Sequence, residues 1–441
     1  MHTNETGQTE PSSARQGSSG TLVDGGVVAP KGFRCAGTHA GIKRKRNDIA
    51  LIVSDVDAVV AGVFTQNVVR AHCVIANEKR VDGGLARAII CNSGNANACN
   101  GDQGGLDDHR MAEIVAEHIG SDAGKVMTAS TGVIGVGMPM AKIESGVATA
   151  CGLLHGDSCD DVAQGIMTTD TYPKQFAVEF QLAGGAVGRI GAIAKGSGMI
   201  APNMATMLGF VTTDVAIEQS VLQMMLTRCT WYTFNSISVD GDTSTNDSVI
   251  VLANGLAGNK PIISQDTADA AAFETALYNV CLHMAKEIAR DGEGATKLVE
   301  VTVTNVAPPG NLVEVYAANE RIMTREQRAS FARSVAKTVA NSNLVKTALF
   351  GNDPNWGRIL AAVGRSGVKF DPACVEISLA GHKVFSKGQP TKFNGYVVSD
   401  AMKSKDLKID IDLGQAEGES ATVWTCDFSY DYVKINAEYH T

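Results

Sequence analysis

A run of small residues, Lys195-Gly196-Ser197-Gly198-Met199-Ile200-Ala201-Pro202-Asn203-Met204-Ala205-Thr206-Met207-Leu208, closes on an Ala-Thr pair. A threonine hydroxyl is a weak nucleophile unless a base stands beside it. One way to supply the base is to make the threonine a new N-terminus, whose own α-amine accepts the proton. That chemistry asks for a tight bend in which the Thr206 hydroxyl attacks the Ala205 carbonyl, and glycines suit such a bend. On pattern alone a threonine here is more commonly a plain strand residue, so both readings stand open.

Other motifs compete for the same residues and are weaker. Gly196-Ser197-Gly198-Met199-Ile200-Ala201 fits G-x-G-x-x-G/A, but a dinucleotide site needs the glycine turn to open a helix that faces the pyrophosphate. Pro202 follows at once and pushes Ala201 out of the helical region. Gly120-Ser121-Asp122-Ala123-Gly124-Lys125 lacks both the spacing and the Ser/Thr of a phosphate loop. Asp240-Gly241-Asp242-Thr243-Ser244-Thr245-Asn246-Asp247 has Ser244, Thr245 and Val251 where a calcium loop needs Asp/Asn, Gly and Glu, so a polar loop or cap is expected. The nine histidines contain no H-x-x-x-H pair and give a metal or Ser-His-Asp site no local support. Ten cysteines stand singly without C-x-x-C, which reads as reduced, mostly buried thiols in a cytoplasmic protein.

Positioning such a site takes a sizeable scaffold. Strands are expected over 49–63, 88–91, 126–129, 176–182, 187–194, 210–214, 299–306, 375–380, 407–413 and 421–430. Helices are expected over 107–119, 160–167, 222–226, 270–288 and 325–340. The cluster Asn92-Ser93-Gly94-Asn95-Ala96-Asn97 reads as a loop. Strands and helices come in mixed order without strict alternation, which favours α+β layers over a simple parallel sheet. No Pro/Ser-rich linker marks a domain boundary.

With 44% hydrophobic and 19% charged residues among 441, the chain has an ordinary globular composition. A net charge of −9 and a pI near 5.5 speak against nucleic-acid binding. The basic run Lys43-Arg44-Lys45-Arg46 reads as a solvated loop or strand edge. No stretch reaches the roughly 18 apolar residues of a membrane helix. The first 20 residues lack the apolar core of a secretory signal, and residues 1–24 read as a disordered leader.

The small-residue run does not stand alone. It closely resembles the self-processing segment of the arginine-biosynthesis ornithine acetyltransferases (glutamate N-acetyltransferases). Asn92-Ser93-Gly94-Asn95-Ala96-Asn97-Ala98-Cys99, Ser130-Thr131-Gly132-Val133-Ile134-Gly135 and Met167-Thr168-Thr169-Asp170-Thr171 look like the same family, in order. So do the block from Phe234 to Asp247, Arg290-Asp291-Gly292-Glu293-Gly294-Ala295-Thr296-Lys297, Gly351-Asn352-Asp353-Pro354-Asn355-Trp356-Gly357 and Asn436-Ala437-Glu438-Tyr439-His440-Thr441.

The resemblance implies a layered α+β sandwich of the self-processing N-terminal-nucleophile type. It implies cleavage of the Ala205–Thr206 bond, giving chains 25–205 and 206–441 after the leader. Thr206 would then carry the acetyl group from N-acetylornithine to glutamate. Thr131 and Gly132 match the oxyanion pair. Lys195, Glu293, Asn436, Thr441 and one of Thr168 or Thr169 match substrate-binding positions, together with Thr206 itself; on an extended segment the two neighbouring threonines would face opposite ways. No cofactor or metal is implied, and acetyl-CoA remains open as a second acetyl donor. An assembly of two processed pairs is expected. An amide hydrolase or aminopeptidase of the same architecture, resolving the acyl-enzyme with water, is the alternative.

Overall fold

The computed structural model describes residues 20–201, 207–310, 323–416 and 418–438. Its strands begin with β1 (Thr21–Leu22), β2 (Phe33–Thr38), β3 (Ile49–Phe64), β4 (Leu85–Asn95) and β5 (Val126–Val133). Next come β6 (Lys174–Gln181), β7 (Val187–Lys195), β8 (Leu208–Thr213), β9 (Ile237–Ser238) and β10 (Ser248–Ala253). The last are β11 (Leu298–Val306), β12 (Glu376–Leu379), β13 (His382–Ser386), β14 (Gln389–Pro390), β15 (Asp406–Asp412) and β16 (Glu419–Cys426). One sheet of nine strands runs β1-β6-β7-β8-β10-β3-β4-β5, with β2 also paired to β3. A second of seven runs β14-β13-β12-β15-β11-β16-β9. Pairing is mixed: β8/β10, β4/β5, β11/β15 and β9/β16 are parallel, whereas β6/β7 and β7/β8 are antiparallel.

The first helices are α1 (His72–Asp82), α2 (Gly101–Ile119), α3 (Met140–Gly152), α4 (Asp160–Gly165), α5 (Gln219–Tyr232) and α6 (Ala268–Arg290). They are followed by α7 (Arg325–Ala340), α8 (Asn343–Phe350), α9 (Trp356–Gly364), α10 (Gly395–Ala401) and α11 (Tyr430–Glu438). Helices α2 and α3 cover the β3–β5 region, where Met111, Val115, Ile143 and Val147 meet Ile49, Leu51 and Ile90. Helix α6 touches both sheets: its Phe273, Leu277, Met284 and Ile288 share one core with Ile190 and Val211 of the first sheet and Trp424 of the second. Helices α7 and α9 cover the second sheet through Val335, Val339, Ile359 and Val363 against Val301, Ile377 and Ile409. α7 begins on a capping box in which the Thr324 and Gln327 side chains satisfy each other's backbone N–H groups. The result is the layered α+β arrangement expected from the mixed element order. Among the described residues no helix is long and apolar enough to cross a membrane.

Four sequence expectations change. Residues 21–22, assigned to the leader, pair with Glu179 and Val178 of β6, occupying hydrogen-bonding groups that this edge would otherwise leave open; residues 1–19 lie outside the described ones. The 92–97 cluster is not wholly loop, because β4 continues to Asn95 across a bulge at Gly94/Asn95. The strand expected over 421–430 ends at Cys426, and Tyr430 opens α11. Helices α1, α3, α8, α9 and α10 were not anticipated; α1 buries only Cys73, Val74 and Asn77, too narrow a stripe to stand out as a period. The expected cleavage point falls in sequence between β7 and β8, which are neighbours, so the two products would complete a single sheet.

Candidate active site

The site grows from strand ends. Thr131 and Gly132 lie near the end of β5, and Lys195 is the last residue of β7, paired with Leu208 at the start of β8. Lys195 Nζ donates to Thr131 Oγ1 at 3.2 Å, and both residues are buried. An ammonium has donors only, so the Thr131 oxygen accepts and its own hydrogen stays available for another acceptor. Gly132 sits at φ 135°, and a Cβ there would lie 2.4 Å from the Gly94 carbonyl carbon. Only glycine fits this crossing of β4 and β5.

Buried amides hold the strand end in place. Ser130 Oγ donates to Asn92 Oδ1 at 2.6 Å. Asn246 Nδ2 donates to the carbonyls of Ala96 (2.5 Å) and Ser130 (2.8 Å), tying the residue before Thr131 to the neighbouring loop.

The glycine segment leaves β7 as an irregular chain. No helix opens within residues 196–201, which removes the dinucleotide reading. Gly196 N–H donates to Asp170 Oδ1 at 2.8 Å, and Ser197 Oγ donates to the Asp291 carbonyl at 2.6 Å. Met199, at φ 57°, and Ile200 donate their N–H groups to the Asp240 carboxylate at 2.6 and 2.8 Å. The Asp240 loop is thus a polar brace for this segment. Beneath it Lys174 Nζ lies between Asp170 (2.8 Å) and Asp291 (2.5 Å), all three buried. Burial alone would raise the Asp170 carboxyl, but Lys174 and Lys195 hold it down to about 2.

Glu293 is buried beside this segment, where Gly198 is in such close contact that a Cβ would fall 2.4 Å from the Glu293 carboxyl carbon. Asn436 Nδ2 on α11 donates to Glu293 Oε2 at 2.7 Å. Thr168 and Thr169 are half-buried in a bend rather than an extended segment, so strict alternation does not choose between them. Thr168 N–H donates to Asp170 Oδ2 at 3.0 Å. Contacts therefore link Thr131, Lys195, Thr168, Glu293 and Asn436 through Asp170, Ser197 and Gly198. Ala205, Thr206 and Thr441 lie outside the described residues.

Several supports escaped sequence reasoning. Asp170, Lys174 and Asp291 carry no motif of their own, and Asp240 and Asn246 were read only as part of a polar loop or cap, although all but Lys174 stand inside the family-like blocks. Arg44, Lys45 and Arg46 of the basic run are exposed, but Lys43 Nζ donates to the Met167 carbonyl (2.9 Å) and Arg46 reaches the Asp170 carbonyl (3.1 Å). Burial lowers the Lys43 ammonium to about 8.

The ArgJ family profile matches residues 34–318 and 319–441. An arginine biosynthesis bifunctional protein ArgJ from Symbiobacterium thermophilum is 48% identical over 420 residues, covering 95% of this chain and 99% of its own. The chain belongs to the ArgJ family. Among solved structures, the arginine biosynthesis bifunctional protein from Bacillus halodurans is 41% identical, covering 52% of this chain and 98% of its own with a TM-score of 0.46. The ornithine acetyltransferase from Mycobacterium tuberculosis, solved with ornithine, is 42% identical, covering 42% of this chain and 99% of its own with a TM-score of 0.40. The ArgJ family is the one that the ordered blocks resembled.

Proposed function

We propose that this chain is an N-acetyltransferase of arginine biosynthesis that moves acetyl from N-acetylornithine to glutamate through Thr206. The observation that carries the reading is the buried Lys195–Thr131 pair at the joined ends of β5 and β7, linked to Glu293 and set beside the Ala205–Thr206 segment in sequence. Thr206 attacks the Ala205 carbonyl, the ester hydrolyses, and the freed α-amine then serves as base for the hydroxyl. Attack on the acetyl carbonyl of N-acetylornithine expels ornithine and leaves acetyl-Thr206; the amine of glutamate takes the acetyl group in a second displacement.

Thr131 donates its hydroxyl hydrogen to the oxyanion of each tetrahedral intermediate, beside the backbone of Gly132. Lys195 orients that hydroxyl and places positive charge near a substrate carboxylate. Glu293, oriented by Asn436, pairs with a substrate ammonium through a charge-assisted bond. Thr168 or Thr169 supplies a hydroxyl, and Thr441 is a further substrate-binding residue. Acetyl-CoA as a second donor to glutamate, and an assembly of two processed pairs in the cytoplasm, belong to the same proposal.

Initial-rate kinetics with N-acetylornithine and glutamate test it. Parallel double-reciprocal lines and [acetyl]-Thr206 in the mass spectrum of the donor-treated enzyme are expected. Equal consumption of acetylornithine without glutamate would instead identify an amide hydrolase. The same assay with acetyl-CoA as donor reads out the second activity.

A further inference from the structure

Away from this site, β2 carries Cys35 opposite His155, and the two residues exchange backbone hydrogen bonds at 2.8 and 3.0 Å. Directly opposed residues of an antiparallel pair project their side chains to the same face. Asp161, in the first turn of α4, brings its carboxylate to the same point: His155 Nε2 and Asp161 Oδ2 are 3.2 Å apart. The Cys35 sulfur, the His155 nitrogen and the Asp161 oxygen lie within 4.8 Å of one another. We propose that Cys35, His155 and Asp161 form a binding site for a zinc-class divalent cation, with water as fourth ligand.

A second feature of the geometry points the same way. His155 Nδ1 lies 2.8 Å from Asp157 Oδ1. With Nδ1–H donated to that carboxylate, Nε2 faces Asp161 and Cys35, and giving up its proton and its contact with Asp161 frees its lone pair for the ion. A carboxylate orienting the outer nitrogen of a ligating histidine is the usual support of such sites. Thiolate, imidazole and carboxylate together suit a borderline-soft ion, and three protein ligands leave one position for water. The Cys35 residue is fully buried, whereas the His155 and Asp161 side chains are about one third exposed, so the ion enters from their side.

Binding displaces the Cys35 S–H proton to solvent, together with the hydrogen bond that the thiol donates to the Ser158 carbonyl at 3.2 Å. Asp161 keeps its bond from Gly37 N–H (2.6 Å) and exchanges His155 for the metal. Tetrahedral zinc places its ligand atoms roughly 3.3–3.8 Å apart, a spacing His155 and Asp161 already have, so it is the Cys35 sulfur that closes, by up to about an ångström. The ion would tie β2 to the base of α4, whose far end leads into the Met167–Asp170 bend. Spacing along the sequence gave His155 no ligand partner because Cys35 reaches it only across a strand pair.

The full chain, made without a polyhistidine tag and stripped with chelator, is titrated with Zn²⁺ or Co²⁺ alone. One equivalent retained per chain and a near-ultraviolet thiolate-to-cobalt charge-transfer band are expected. Both are lost in Cys35→Ser and His155→Ala, and Asp157→Asn weakens affinity about 10- to 100-fold. Cys99→Ser/Cys374→Ser, which removes the two exposed thiols, leaves the band unchanged. Absence of binding, a band surviving Cys35→Ser, or a band lost only in the Cys99/Cys374 variant overturns the site. Should Cys35→Ser fail to fold, the partly exposed His155→Ala and exposed Asp157→Asn variants decide.

Discussion

The two sheets solve burial differently. In the second, β15 alternates buried and exposed along its length, with Leu407, Ile409 and Ile411 facing the α7–α9 helices. In the first, β8 and β10 are buried at every position, as is β3 from Ile49 to Ser54. A strand covered on both faces has no solvent side for polar groups, so these must pair internally. Two groups of them sit toward strand ends: Asn92, Ser130 and Thr131 beside β5, Asp170, Lys174 and Lys195 beside β7. The comparison teaches where chemistry can sit, since a fully covered sheet supplies a rigid, low-dielectric frame in which fixed hydrogen bonds keep their strength.

Variants that pit one sheet against the other sharpen this contrast. The largest effect is expected from Thr206→Ala, which leaves a single uncut 46.2 kDa chain without acetyl exchange; two fragments in the denaturing mass spectrum of that variant would sink the nucleophile assignment. Thr131→Val removes the proposed oxyanion donor and should lower kcat by about 10²–10³ with little change in KM. The matching Thr302→Val in the second sheet, whose hydroxyl meets Thr422 at 3.1 Å, should leave the kinetics untouched.

Stability variants come next. Lys174→Met strands two buried carboxylates and should cost roughly 3–5 kcal/mol in denaturant melts. Lys408→Met breaks a pair with Glu300 whose lysine is mostly exposed, and should cost about 0–1 kcal/mol. Equal losses would erase the distinction between the sheets.

Acid titration gives a smaller signal than the loss of Lys174. The Asp170 carboxyl is held at about 2 against an ordinary 3.8, so its ionised form favours the folded state. That contribution is complete above 3.8 and disappears as pH falls through about 2. Asp170→Asn should flatten the stability profile in this window, as read by tryptophan fluorescence at fixed denaturant; an unaltered slope would show that Asp170 titrates normally.

How much was legible in the sequence follows from the same physics. The interval 325–340 matches α7 end to end, because a capping box and a clear apolar stripe are local signals. β1, β2 and β10 of the first sheet were not expected, whereas β3 and the middle of β4 were visible as dense Val, Ile and Ala runs. The bulge at Gly94/Asn95 was not, since it depends on how β4 crosses β5. Thr131, Lys195, Glu293 and Asn436 were singled out as candidates by family-like blocks, whereas Lys174 stood outside them.

The sequence by itself determined the family and the α+β class and named the candidate residues from which a site is proposed, because each of these is written in short ordered blocks. Only the tertiary structure decided that Lys195 reaches Thr131, that Asn436 reaches Glu293, and that Cys35 faces His155. Each of those pairs joins distant segments through strand pairing or helix docking. No local spacing encodes them, since the distance between two side chains is set by the sheet and helix that carry them.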